Sequence, residues 1–188
     1  RENGRLQKSS WSQTLKLLIT KLKSFDPNEI AGLVGDLADL EMIYCFKSFF
    51  EKSLGSTNLE CRQDKIYINP EERMNYIFNS SIKGIEDSDL ILLVGTNPRL
   101  EATILNARIR KAYINSRLKI YSIGNPGDLT YPYQNIGSNT SVIREIVSDS
   151  HEISNKIKKS KRPLVIIGES ALYGKAGQYV FEALKNFL

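Results

Sequence analysis

Apolar residues along the chain alternate between two spacings, one helical and one extended. Trp11, Leu15, Leu18, Ile19 and Leu22 share one face at a period of 3.6, which predicts an amphipathic helix. Ser9 and Ser10 are its candidate N-caps, and Asp26-Pro27 stops it near Phe25. The run EIAGLVG, Glu29 to Gly35, is short, apolar and closed by glycine, and predicts a buried strand. A second helix is expected next, with Asp36 as N-cap, Gly55 as C-cap, and Leu37, Leu40, Ile43, Tyr44, Phe46 and Phe50 on a broad apolar face. Leu59 to Arg62 predicts a short strand. The stretch after it predicts a loop with a weak helical turn around Glu71 to Phe78, and a turn ending before Ser88.

The second half is more regular. LILLV, Leu90 to Val94, is uninterrupted and bounded by turn residues, the pattern of a central parallel strand buried on both faces. The helix after Pro98 carries two apolar groups on opposite sides. Leu100, Ile104, Ala107 and Ile114 form one; Ala102, Leu105, Ile109, Ala112 and Tyr113 form the other. Glu101 and Arg108 occupy one seam between them, Asn106 and Arg110 the other. Such a helix is expected to be buried on two sides, against the sheet and also under another layer or another subunit. Lys119 to Gly124 predicts a strand, followed by a long polar and aromatic loop, NPGDLTYPYQNIGSNT. Next come one or two helices, with Val142, Ile143, Ile146 and Val147 as one apolar set and Ile153 and Ile157 as another. Pro163 to Ser170 predicts a buried strand, and a closing helix turns Tyr179, Val180, Ala183 and Leu184 inward. Strands thus alternate with helices four or five times. The expected fold is one α/β domain over residues 1–188, a doubly wound, mainly parallel sheet with helices on both faces.

Composition fits a globular chain: 188 residues, 41% hydrophobic and 25% charged. The net charge of +5 is scattered apart from KIKKSKR, Lys156 to Arg162, and RIRK, Arg108 to Lys111. No single basic face interleaved with aromatics is seen, so nucleic acid is not an expected partner. No run of eighteen apolar residues would span a bilayer. The two cysteines, Cys45 and Cys61, match no zinc or iron–sulfur spacing and suggest no disulfide framework, which points to a reducing compartment. The chain begins at Arg1, as a processed, trimmed or partly ordered chain would. An Ile, Asn, Lys and Ser bias suits AT-rich coding.

Ligands of such sheets lie at the carboxyl ends of the strands. Three glycine-bearing turns qualify: Gly95-Thr96-Asn97, Gly124-Asn125-Pro126 and Gly168-Glu169-Ser170. Glycine admits a phosphate close to the backbone, and a helix N-terminus supplies free N–H groups. None completes G-x-G-x-x-G or a P-loop. Arg108 and Arg110 could hold phosphate, but pairing or solvating a helix seam is the plainer role. His151, beside Asp149 and Glu152, reads as a surface helix turn with no nucleophile partnered to it. Asp87 and Asp89 read as capping or solvated residues. Cys61 could be a metal-binding thiolate or, more plainly, a buried inert cysteine.

The string LLVGTNPRLEATILNARIRK resembles the molybdopterin-oxidoreductase-like domain of the large iron–sulfur subunit of respiratory complex I, the NADH:ubiquinone oxidoreductase. SSWSQTLKLL resembles that domain's Trp-containing helix, EIAGLVGDLADLEMIYCFKSFFEKSLGSTNLE its first β-α unit, and GNPGDLTYPYQNIG and PLVIIGESAL later turns. Active molybdenum enzymes of the wider family usually carry His-Pro after the G-x-N-P turn; here Ala102 and Thr103 stand there. Where many have an Asp-Pro-Arg-like turn for the pterin, this chain has Gly124-Asn125-Pro126. Formate dehydrogenases place Cys or selenocysteine followed by His where Cys61 is followed by Arg62.

The resemblance therefore implies a domain that has lost its cofactor, with no catalytic, cofactor-binding or metal residues of its own. The implied setting is the matrix arm of mitochondrial complex I at the inner membrane, with iron–sulfur clusters and FMN elsewhere in the complex. Implied partners are other complex I subunits, above all the iron–sulfur domain of the same subunit. The chain would be a separately encoded fragment, a cleavage product or an ordered part of a longer subunit. The alternative is an active pterin- or nucleotide-binding oxidoreductase domain, with Gly95 to Asn97 and Arg108 holding phosphate groups.

Overall fold

The computed structural model describes residues 4–35, 37–61 and 66–188. Asp36 and Arg62, expected above as a cap and a strand end, lie outside them. The chain divides into two compact units, residues 1–63 and 64–188.

In the first unit, Ser10 caps α1 (Trp11–Leu22). Its hydroxyl accepts from the Gln13 backbone at 3.3 Å, and the Gln13 side chain accepts from the Ser10 N–H at 3.0 Å. None of the residues of α1 is buried. The expected strands shrink to two residues each: β1 (Gly32–Leu33) pairs in parallel with β2 (Leu59–Glu60). Helix α2 (Leu40–Phe49) starts later than expected. Its cap is Asp39, whose carboxylate accepts from Met42 N at 2.7 Å. A wider turn, Phe50–Leu54, carries it on to Gly55, which is left-handed with φ 70°, the C-cap that its sequence position predicts. Strand β1 lies directly on aromatic rings. A Cβ at Gly32 would stand 2.7 Å from Phe46 and 2.8 Å from Phe50. Buried Ser56 donates to the Ile30 carbonyl at 2.6 Å and ties the two strands' approaches together.

The second unit is the doubly wound sheet. Its strands are β3 (Leu90–Val94), β4 (Lys119–Ile123), β5 (Gln134–Gly137) and β6 (Pro163–Ile167), parallel and in the order β5-β4-β3-β6. Chain order runs outward from β3 to β5 and then jumps back to the other side of β3, so β3 and β6 meet at the topological switch point. All five residues of β3 are buried. Successive side chains point to opposite faces. Leu90, Leu92 and Val94 meet α5 (Thr140–Val147), α6 (Glu152–Lys159) and α8 (Gly177–Phe187) through Val142, Ile143, Ile146, Ile153, Ile157, Val180 and Leu184; α7 (Glu169–Leu172) is a single turn before α8. Ile91 and Leu93 face Ile85, Ile109, Ala112, Leu129 and Tyr131 on the other side. Each buried Val, Leu or Ile among them contributes roughly 1.5–3 kcal/mol.

Three expectations change. Strand β5 falls within the stretch expected as a loop: QNIG has no apolar alternation, because an edge strand is held by backbone pairing to Tyr121 and its neighbours and needs little burial. The helix after Pro98 is broken at Ala102, whose φ of −147° leaves the helical region. It becomes α3 (Pro98–Glu101) and α4 (Thr103–Ser116). Only one of its apolar sides is covered here. Ile109 and Ala112 are buried, whereas Leu100 and Ile104 are 79% and 67% exposed. The helical turn expected around Glu71 to Phe78 is a 3-10 turn, Arg73–Asn75. Among the described residues, no helix is long and apolar enough to cross a membrane.

Polar side chains set two critical joints. Asn106 sits in the α4 core face at 6% exposure, not on a solvated seam. Its amide donates to the Leu129 carbonyl at 3.2 Å and its oxygen accepts from the Tyr131 hydroxyl at 2.8 Å. That pair pins the loop after β4 onto α4. Burial raises the Tyr131 hydroxyl far above the ordinary tyrosine range, so it stays a donor. At the opposite end, Asp89 accepts from the Ser160 hydroxyl, Lys161 N at 2.8 Å and Arg162 N at 3.1 Å. The turn between α6 and β6 is thereby held to the start of β3.

Replacing Asn106 by Ala should lower stability by about 1–3 kcal/mol, because it orphans a buried hydroxyl and a carbonyl. Asn115→Ala, on the exposed side of α4, should cost under about 0.5 kcal/mol; urea melts of the two variants test the contrast. Asp89 gives a pH signature. The Ser160 hydroxyl, then the two N–H groups, hold its carboxyl below the usual range despite partial desolvation. Its stabilisation is therefore present above the unfolded value of about 3.9 and is lost as pH falls through the lower folded value. Asp89→Asn should be less stable than wild type at pH 7 by on the order of 1 kcal/mol. The gap should close progressively as pH falls below about 4 in acid melts.

Candidate functional site

The three glycine turns, scattered in sequence, converge at the carboxyl ends of β3, β4 and β6. Gly95, Thr96, Asn97, Gly124, Asn125, Pro126 and Ser170 line one cleft with Ile123 and Glu101, of about 190 Å³. Each turn is shaped by backbone demands. Gly95 (φ 55°) and Gly124 (φ 98°) are left-handed, which their places after buried strands require. Gly168 serves close approach instead: a Cβ there would overlap the Gly95 carbonyl oxygen and crowd Thr96. The crevice at the switch point between β3 and β6 is thus closed by main chain. The Ser170 hydroxyl donates to the same Gly95 carbonyl, and Gly168 N donates to Val94 O at 2.9 Å.

Sequence reasoning misses Glu101. Periodicity puts it on a helix seam with Arg108, but its carboxylate turns back on the start of α3. It accepts from Asn97 N at 2.7 Å and from the Thr96 hydroxyl at 2.8 Å. Asn97 accepts from Leu100 N at 3.2 Å and donates through its amide to the Pro126 carbonyl at 2.7 Å, bridging the first two turns. Pro98 has no N–H to give. Three donors at this turn, the Thr96 hydroxyl, Asn97 N and Leu100 N, are thus engaged by the chain's own acid and amide. The available clue was an acid in the first helical turn, where it complements the free N–H groups.

The remaining candidates fall elsewhere. Arg108 does not line the cleft. It pairs with Glu86 at 2.5 Å, and Lys111 takes the other oxygen at 2.8 Å; Lys111 and Arg108 together hold the Glu86 carboxyl below its usual range. Arg110 is exposed. Asp87 pairs with Arg162 at 3.3 Å. His151 caps α6: Nδ1 accepts from Ile153 N at 3.2 Å, the helix-start role that its sequence context suggests. Asp149 pairs with Lys158 at 2.5 Å and Glu152 with Lys156 at 2.9 Å, so the basic run at 156–162 is largely matched by acids. Cys61 is exposed just after β2, not buried, and Cys45 is exposed as well. Among the described residues, no three His, Cys, Asp or Glu side chains cluster as metal ligands.

Comparison with known proteins gives a consistent result. The profile of the family described as Molybdopterin oxidoreductase matches residues 1–188. The chain is 37% identical over 99% of its length to the NADH-ubiquinone oxidoreductase 75 kDa subunit of Reclinomonas americana, covering 29% of that protein. It is 36% identical over 93% of its length to an NADH-quinone oxidoreductase subunit of Rickettsia bellii, covering 25% of it. For the corresponding protein of Rickettsia felis the identity is also 36%, over 98% of this chain and 27% of the relative. The chain spans under a third of these curated relatives. With the parallel sheet, the switch point and the three strand-end turns in place, this chain belongs to the molybdopterin oxidoreductase family and is similar there to subunits of NADH-quinone oxidoreductases.

Proposed function

We propose that this chain is a non-catalytic structural portion of the peripheral, matrix-side arm of respiratory complex I at the mitochondrial inner membrane. Its part is to support electron transfer from NADH to ubiquinone through FMN and iron–sulfur clusters held by other domains or chains. The partners in this reading are other complex I subunits, foremost the iron–sulfur domain of the same subunit. The relatives carry the assignment to the complex.

The observation that carries the non-catalytic part is the Glu101 carboxylate on the turn Thr96-Asn97. A phosphate taken up at this turn would lie within a few ångströms of that acid, so like charges would meet. The 190 Å³ cleft is also smaller than the roughly 300–1,000 Å³ of usual ligand pockets. The residues present do not fit a phosphate-bearing pterin, and the arginine that could have balanced one, Arg108, is bound to Glu86. What these turns do well is join a buried strand to packed helices.

Elemental analysis of the purified chain should find no stoichiometric iron or molybdenum, and extraction should find no pterin. One equivalent of any of them would sink the proposal. Thermal melts should be unmoved by millimolar ADP or inorganic pyrophosphate. A ligand whose Kd is a hundredth of that concentration would add about 2.7 kcal/mol and raise Tm by several degrees.

A further inference from the structure

The net charge, which looks scattered when basic residues alone are followed along the sequence, is concentrated in one segment once acids are counted against them. Residues 4–25 hold Arg5, Lys8, Lys16, Lys21 and Lys23 and no Asp or Glu, which equals the whole net charge of +5. The rest of the sequence is balanced, with 21 residues of each sign out of 26 basic and 21 acidic. Among the described residues, none of these five cations pairs with a carboxylate, although basic side chains elsewhere repeatedly do. Among the described residues of its own unit, the same segment carries an apolar face that nothing covers. Trp11 is 82% exposed, and Leu15, Leu18, Ile19 and Phe25 are each about half exposed.

On a wheel of about 100° per residue, Trp11, Leu15, Leu18, Ile19 and Leu22 fill an arc of roughly 100°. Lys21 borders it on one side and Lys16 and Lys23 on the other. We propose that α1 is a docking element for an acidic protein surface of complex I outside this chain, with the apolar arc as its ridge and the lysines as its rim. The inference rests on the complex I reading above. A second copy is disfavoured, because a self-complementary contact would set five cations against five with no acid to match them. A flat anionic membrane would suit the arc and the lysines, but not Leu17. That residue lies roughly 140° from the arc's centre, on the back of the helix, and is 63% exposed. A bilayer covers one side of a helix, whereas a protein groove can take both.

Carbodiimide cross-linking, which joins carboxylates to touching lysine amines, tests the occupant in the native complex. Lys16, Lys21 and Lys23 should be joined to Asp or Glu of polypeptide outside this chain. The triple variant Lys16→Glu/Lys21→Glu/Lys23→Glu should reduce incorporation about tenfold or more, with unchanged circular dichroism. The triple Lys→Arg variant should assemble normally. Trp11 is the only tryptophan, so its emission reports on α1 directly in the isolated chain. Phosphatidylserine–phosphatidylcholine vesicles should leave that emission unshifted. A blue shift with vesicles would reassign the face to lipid. Cross-links confined to this chain, or normal assembly of the charge-reversed variant, would equally overturn the proposal. If the wild-type chain does not co-migrate with NADH dehydrogenase activity, the complex I reading fails first and takes this inference with it.

Discussion

The burial of β3 on all sides is the constraint on which the second unit depends. Leu90 to Val94 have β4 on one edge, β6 on the other and helices over both faces. Both of its neighbours are parallel to it, and the chain reaches each of them from the preceding strand by a crossover that contains helix, α3 and α4 before β4 and α5 and α6 before β6. Helix α4 lies on one face and α5, α6 and α8 lie on the other. The chain turns left-handed at Gly95 because a buried strand must leave the sheet at once.

The strand ends show how a fold can keep the form of a ligand site while its polar groups turn inward. Glycines at 95, 124 and 168 bring three turns into contact, as a cofactor site would need. The hydrogen bonds then run within the chain: Glu101 to Thr96 and Asn97, Asn97 to Pro126, and Ser170 to Gly95. Local order at these turns is self-sufficient. The same economy holds at Asn106, where one buried amide fastens a polar loop that has little apolar surface of its own.

The first unit contrasts with this. Its two short strands and the Phe46–Phe50 packing bury little, and α1 buries nothing. An amphipathic helix gains most of its stability from the face it covers. Among the described residues of this unit, neither the apolar face of α1 nor its lysines find a partner, so little within the unit stabilises the helix beyond its cap. The exposed side of α4 is a second, smaller instance, with Leu100 and Ile104 facing outward.

Much of the architecture was legible in the residues. The LILLV run, the glycines after strands, the Ser10 cap and the spacing of Val142, Ile143 and Ile146 each specify a local structure through sterics or periodicity, and those effects act within a few residues. Family membership was legible for the same reason, in one continuous string around Gly95. Tertiary structure alone decided the rest. Strand β5 exists because Tyr121 offers it a pairing edge. Asn106 is buried because a loop from beyond β4 folds over it, and Arg108 is committed to Glu86, distant in sequence. Glu101 turns back on Asn97 N and the Thr96 hydroxyl as a first-turn acid can, a choice of partner that periodicity does not show. Sequence determined which segments are strands and helices, since that information is local. Which polar groups meet depends on chain paths that no local pattern encodes.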